Sequence, residues 1–207
     1  MGLVKINDRG ARSATAFGSV GTGSMTFIKK VTASSSATVS FVDGTSDVVL
    51  DDTYKEYLFT FKNIHPENDD MLFQFNMSVD AGSNYNVAKT TSFFEAFHVE
   101  DGTGGTLAYV PGRDIAQGTG FADLTQGIDN GNSADGCGTL YLFNPSSTTF
   151  VKHFLSECNI KGNDTKCQST YAGGYGNTTS AVDAIQFRHD SGTIDAGQIK
   201  LYGIKDS

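Results

Sequence analysis

The side chains able to do chemistry are few and scattered. There are four histidines, His65, His98, His153 and His189. The densest group of ligand types is His98, Glu100 and Asp101, with His189 beside Asp190. A metal site needs convergence of such groups, and each of these histidines falls at a predicted strand end, where an imidazole capping a backbone group is the commoner role. Paired carboxylates at Asp51–Asp52 and Asp69–Asp70 have the residue types of a glycosidase, as does Glu95. Neighbouring aspartates at strand starts are also ordinary turn residues. The run from Asp129 to Gly136 has the oxygen-rich look of a calcium loop, yet lacks its glycine at the sixth position and its glutamate at the twelfth. No GxSxG elbow and no strand-to-helix glycine motif occurs. The expectation is a non-enzymatic protein with no cofactor and no bound metal.

The three cysteines, Cys137, Cys158 and Cys167, form no CxxC pair. Cys158 and Cys167 bracket a polar loop that would let them bridge; free thiols are the plainer reading for a protein made in a reducing cytoplasm. A different chemistry is offered by Tyr85, Tyr109, Tyr171 and Tyr175, which stand among Gly, Asn and Ser. Tyr in such company is the composition of adaptable binding loops, and aromatic faces stack on sugars. These four are the expected surface-binding residues, against the alternative that their rings merely cover sheet ends.

The elements that must position these groups read as strands. Among 207 residues there are 24 Gly, 15 Phe, 3 Pro and no Trp, and 18% are charged. Aromatic and β-branched residues suit pleated surfaces, and Gly supplies turns. The stretch 71–79 alternates Met71, Phe73, Phe75, Met77 and Val79 with Leu72, Gln74, Asn76 and Ser78. Period two over such a length predicts a half-buried strand. Tyr57, Phe59 and Phe61 alternate in the same way over 54–64, a strand expected to end before Pro66. Further strands are expected over 24–32, 38–42, 90–99, 138–143, 148–157, 182–188 and 197–204. Residues 110–136 read as a long glycine-broken loop or a short helix, and the stretch before 182 as polar, Gly-rich connection. The result is an all-β antiparallel sandwich of jelly-roll type with about eight to ten strands.

Residues 1–23 differ. They are rich in Gly, Ala, Ser and Thr and carry few large apolar groups, Leu3, Val4, Ile6, Phe17 and Val20. Such a segment cannot build a core, so the expected organisation is an assembly arm over 1–23 and a sandwich over 24–207. The N-terminus turns polar by Asn7, which predicts neither a signal peptide nor a membrane span. A net charge of −8 disfavours nucleic acid, whose phosphates are met by Lys and Arg.

Several strings resemble a family of small virion proteins from phages of marine bacteria, including cyanophages and pelagiphages. They are AFGSV at 16–20, GSMTFIKK at 23–30, YKEYLFTFKNIHP at 54–66, SNYN at 83–86, LFNPSSTTFVKH at 142–153, GYGNTTSA at 174–181 and SGTIDAGQIKLYGI at 191–204. The resemblance fades over 100–136 and 158–170. It implies a virion structural protein, assembled in the host cytoplasm, with other virion proteins as partners. A tail- or baseplate-associated fibre or host-adhesion component is expected, as a homotrimer meeting a host glycan or protein. The alternative is a capsid decoration protein.

Overall fold

The computed structural model describes residues 24–163 and 165–205. The expected arm, with Leu3, Val4, Ile6, Phe17 and Val20, falls outside the described residues. Within them the chain forms twelve strands: β1 (Met25–Ser36), β2 (Val39–Val42), β3 (Glu56–Pro66), β4 (Phe73–Ser78), β5 (Lys89–Val99), β6 (Gly105–Tyr109), β7 (Ala122–Asp123), β8 (Gly136–Phe143), β9 (Lys152–Gly162), β10 (Lys166–Gly176), β11 (Ala184–His189) and β12 (Ile194–Ile204). The only described helix is a 3₁₀ turn at Pro111–Arg113.

Two antiparallel sheets result, as the alternating patterns require. The larger runs β1-β12-β3-β8-β9-β10-β5-β6 and the smaller β2-β11-β4-β7. Their inner faces meet in a phenylalanine core. Phe187 on β11 sits 5.3 Å from Phe59, 5.2 Å from Phe61 and 5.8 Å from Phe73, ring centre to ring centre. Phe75 reaches across to Phe154 at 4.7 Å. All six rings are buried; Phe61–Phe187 and Phe75–Phe154 meet edge to face and Phe73–Phe187 stacks, contacts that add to what area burial alone supplies.

The larger sheet is wider than the smaller one can cover. The segment 110–135 closes the inner face of β10 and β5. Thr170 donates its hydroxyl to the Leu124 carbonyl at 2.7 Å, and the Ile115 N–H donates to the Thr91 hydroxyl oxygen at 2.8 Å. Glu95 takes hydrogen bonds from Gln126 and Gln168 at 2.7 and 2.6 Å. A cover of this kind has no period, which is why a loop and not a helix fills most of it.

The structure corrects four expectations. β4 is not half-buried: all six of its residues are buried, because the 115–126 stretch and the 79–88 loop lie over its second face and satisfy Gln74, Asn76 and Ser78. The polar, Gly-rich stretch before 182 contains β10, an eleven-residue strand in the middle of the larger sheet. β3 runs through to Pro66, which pairs with Ile194. The strand expected over 148–157 is β9, which starts and ends later.

Candidate binding face

The outer face of the larger sheet gathers aromatic side chains from five adjacent strands. Alternation along β9 turns Phe154, Ser156, Cys158 and Ile160 inward and His153, Leu155, Glu157 and Asn159 outward. The ladder registers then fix the outer rows. One row reads Phe27, Tyr202, Leu58, Tyr141, Leu155, Gly173 and Ser92 across β1, β12, β3, β8, β9, β10 and β5. The next reads Thr60, Thr139, Glu157, Tyr171, Phe94 and Tyr109 from β3 to β6.

Within these rows the rings pair. Phe94 and Tyr171, cross-strand neighbours, stack at 4.9 Å with 12° between planes. Tyr141 and Phe143 stack at 6.2 Å, and His153 leans on Tyr175 at 5.9 Å. Phe94 is 42% exposed, Leu155 58%, Tyr109 60% and Leu107 73%. Large apolar side chains on a solvent-facing sheet surface mark an interaction site when they are contiguous.

Between the rings the face is hollow. One depression of about 400 Å³ is bounded by Phe94, Tyr141 and Tyr171 with Thr139 and Glu157. A second of about 470 Å³ is bounded by Phe143, His153 and Tyr175 with Thr90 and Thr91. The two share Ser92, Leu155 and Gly173 and so form one groove. Gly173 makes the groove possible: a Cβ there would stand 3.1 Å from Leu155 Cδ2 and fill the floor.

Of the four tyrosines expected to bind, Tyr109, Tyr171 and Tyr175 share this face. They stand on strands, not on loops: Tyr171 and Tyr175 lie on β10 and Tyr109 ends β6. The Tyr109 hydroxyl donates to Asp114, which raises its pKa above the ordinary tyrosine value. Tyr85 is apart, in the 79–88 loop against Gly82. Phe94, Tyr141, Phe143 and Leu155 complete the face beside them. The one sequence signal for them was an apolar Leu155 at an outward position of an alternating strand.

The remaining candidates do not converge. Asp51 accepts from the Thr53 N–H at 2.8 Å, and its hydrogen bonds from Thr53 hold its pKa below the usual carboxylate range. Asp69 faces the Asn130 N–H, and Glu95 is tied to two glutamines under the 110–135 cover. Asp129 pairs with Lys161. His65 Nδ1 lies 2.7 Å from the Ala134 carbonyl. Among the described residues no three His, Cys, Asp or Glu side chains come together as a metal cluster, and no helix is long and apolar enough to cross a membrane.

The chain matches no protein-family model, no curated protein and no solved structure.

Proposed function

We propose that this chain is a non-enzymatic structural protein on the surface of a phage particle, a tail- or baseplate-associated fibre or host-adhesion component. It makes its contacts through the outer face of the larger sheet. The observation that carries this reading is the groove of stacked rings over Gly173. The sequence likeness to small virion proteins of marine phages, described above, supports the particle as its setting.

Strand order adds support. With the β5–β6 and β9–β10 hairpins set aside, the sheets reduce to β1-β12-β3-β8 and β2-β11-β4-β7. We read this as the connectivity of a jelly roll, an architecture used by viral capsid and lectin domains. Fold alone informs function weakly, so the face and not the topology bears the argument. A homotrimer with residues 1–23 as its assembly arm, in contact with other virion proteins, fits the same reading.

Capsid decoration is the second reading, favoured by the β6 edge. Its residues Gly105–Tyr109 include no Lys or Pro to blunt it, and Leu107 and Tyr109 are exposed; such an edge suits lateral packing between neighbours. Counting the protein against the major capsid protein in purified particles separates the two. A few copies per particle is the expected result, and a number comparable to the capsid protein overturns the tail assignment. Binding of the purified chain to host cells, lost on Tyr171→Ala, tests the face itself.

A further inference from the structure

We propose that the groove over Gly173 is a saccharide site that takes neutral pyranose units, with Tyr171 and Tyr175 standing two residues to either side of its floor. This rests on the reading of the outer face as a contact surface and names its ligand.

Backbone pairing decides what kind of ligand can enter. β8, β9 and β10 are each hydrogen-bonded to a strand on both sides, and β5 to β10 on one side and on the other to β6 over Phe94–His98 and, through Lys89 and Thr91, to the carbonyls of Gly118 and Ile115. No strand edge is open inside the groove, so a peptide cannot add to the sheet by main-chain pairing there. A ligand meets side chains alone.

Those side chains combine ring faces with hydroxyls. Tyr171 is stacked on Phe94, and the pair borders the first hollow, where a ligand meets it. Ser92, Thr90 and Thr139 line the hollows beside the rings. A pyranose has the matching surface: an apolar C–H face to lie on a ring, and a rim of hydroxyls. Each hollow falls within the roughly 300–1,000 Å³ of small-ligand sites, and their shared floor lets successive units of one chain occupy both.

Charge narrows the class to neutral sugars. Among the described residues lining either hollow there is no Lys or Arg, and the one carboxylate is Glu157. An anionic sugar or a phosphate would find no Lys or Arg to pair with and would meet Glu157 as well as a chain of net charge −8. The Glu157 carboxylate instead accepts hydrogen bonds from neutral sugar hydroxyls.

Affinity electrophoresis of the full chain in native gels tests this, with dextran, laminarin, mannan or galactan as neutral probes and alginate as the anionic one. The expected result is retardation by at least one neutral polymer and none by alginate. Tyr171→Ala and Gly173→Val should each weaken it by about tenfold, the loss of one stacking contact or of the floor, while Tyr85→Ala leaves it unchanged. Mobility unaffected by all four neutral polymers overturns the proposal, as does retardation by alginate that salt abolishes. Retardation that survives both groove variants also overturns it, since the binding is then elsewhere. If Tyr171→Ala loses attachment to host cells while no neutral polymer retards the wild type, the contact face stands and the saccharide falls; attachment untouched by the variant, with no retardation of the wild type, removes both.

Discussion

The ammonium nitrogen of Lys89 lies 2.6 Å from Oδ1 of Asn76, in the interior of the protein. It also donates to the Val87 carbonyl at 2.9 Å, and among the described residues no carboxylate forms an ion pair with it. Asn76 in turn donates its amide to the carbonyls of Tyr85, Thr119 and Gly120 at 2.6, 3.0 and 3.3 Å. The pair therefore ties the 79–88 loop and the 110–135 cover to β4 and β5. Buried charge without a counter-ion is costly, and burial pushes the Lys89 pKa down to about 7.

A stability profile should carry that cost. In the unfolded chain Lys89 keeps its proton up to its ordinary pKa of 10.5, while the folded protein releases it near 7. Between these values the unfolded state holds more protons, so stability rises with pH by about 1.4 kcal/mol per unit from this group. Below pH 7 its contribution is flat and unfavourable. Urea unfolding at pH 7, 8 and 9 should show the rise in the wild type and its loss in Lys89→Met. Parallel profiles for the two proteins would contradict the assignment.

His189 acts in the opposite window. It is buried, with Nδ1 3.2 Å from the Leu72 carbonyl, and burial lowers its pKa from 6.5 to about 4. The neutral imidazole fits the fold and the cation does not. Its contribution is fully present above pH 6.5 and is lost as the pH falls toward 4, by about 3 kcal/mol in all. His189→Asn keeps a donor for Leu72 and cannot charge. Its unfolding free energy should fall less steeply between pH 6.5 and 4.5 than that of the wild type.

How far the sequence reveals this molecule depends on which residues carry each element. Phe59, Phe61, Phe73 and Phe75 alternate with neighbours of different character, so their strands were legible from period two. β10 was not, because KCQSTYAGGYG offers three glycines and small polar residues where a strand wants β-branched or aromatic ones. It is held by ladders to β9 and β5 instead of by its own propensity. The binding face was half legible for the same reason. Tyr171 and Tyr175 were visible as residue types, but Tyr141, Leu155 and Phe94 join them only through the register of four strands, which no local pattern encodes.

The adjacent glycines of β10 should respond oppositely to substitution. A Cβ on Gly174 would stand 2.3 Å from the Thr90 carbonyl oxygen and 2.9 Å from Thr91 Cα. Both are backbone atoms of the paired strand β5, and neither can yield without breaking the ladder. Overpacking of this kind costs about 1–3 kcal/mol, so Gly174→Ala should lower the Tm by several degrees. Gly173 faces outward, and a Cβ there meets the end of Leu155 at 3.1 Å, with the Phe154 carbonyl oxygen at an ordinary 3.9 Å. Gly173→Val should melt within a degree or two of the wild type, since surface changes stay within about 0.5 kcal/mol. Equal losses in the two variants would mean that the outward placement of residue 173 is wrong.

The three cysteines give the sharpest test of strand register. β9 and β10 pair Cys158 with Thr170 and Lys161 with Cys167. Three positions separate Cys158 from Lys161 along β9, an odd step that places Cys158 and Cys167 on opposite faces of the sheet. Cys158 is buried in the core, while Cys137 and Cys167 are exposed. A bridge between Cys158 and Cys167, which the loop between them would otherwise permit, thus requires one side chain to pass through the sheet. Burial also pushes the Cys158 thiol up to about 12, far from the thiolate that alkylation needs. A maleimide reagent at neutral pH should label Cys137 and Cys167 on the native protein and reach Cys158 only after denaturant is added. Mapping the labelled peptides by mass spectrometry distinguishes the three. Fast native labelling of Cys158, or a Cys158–Cys167 disulfide in the oxidised protein, would show that β9 and β10 pair in a register shifted by one residue.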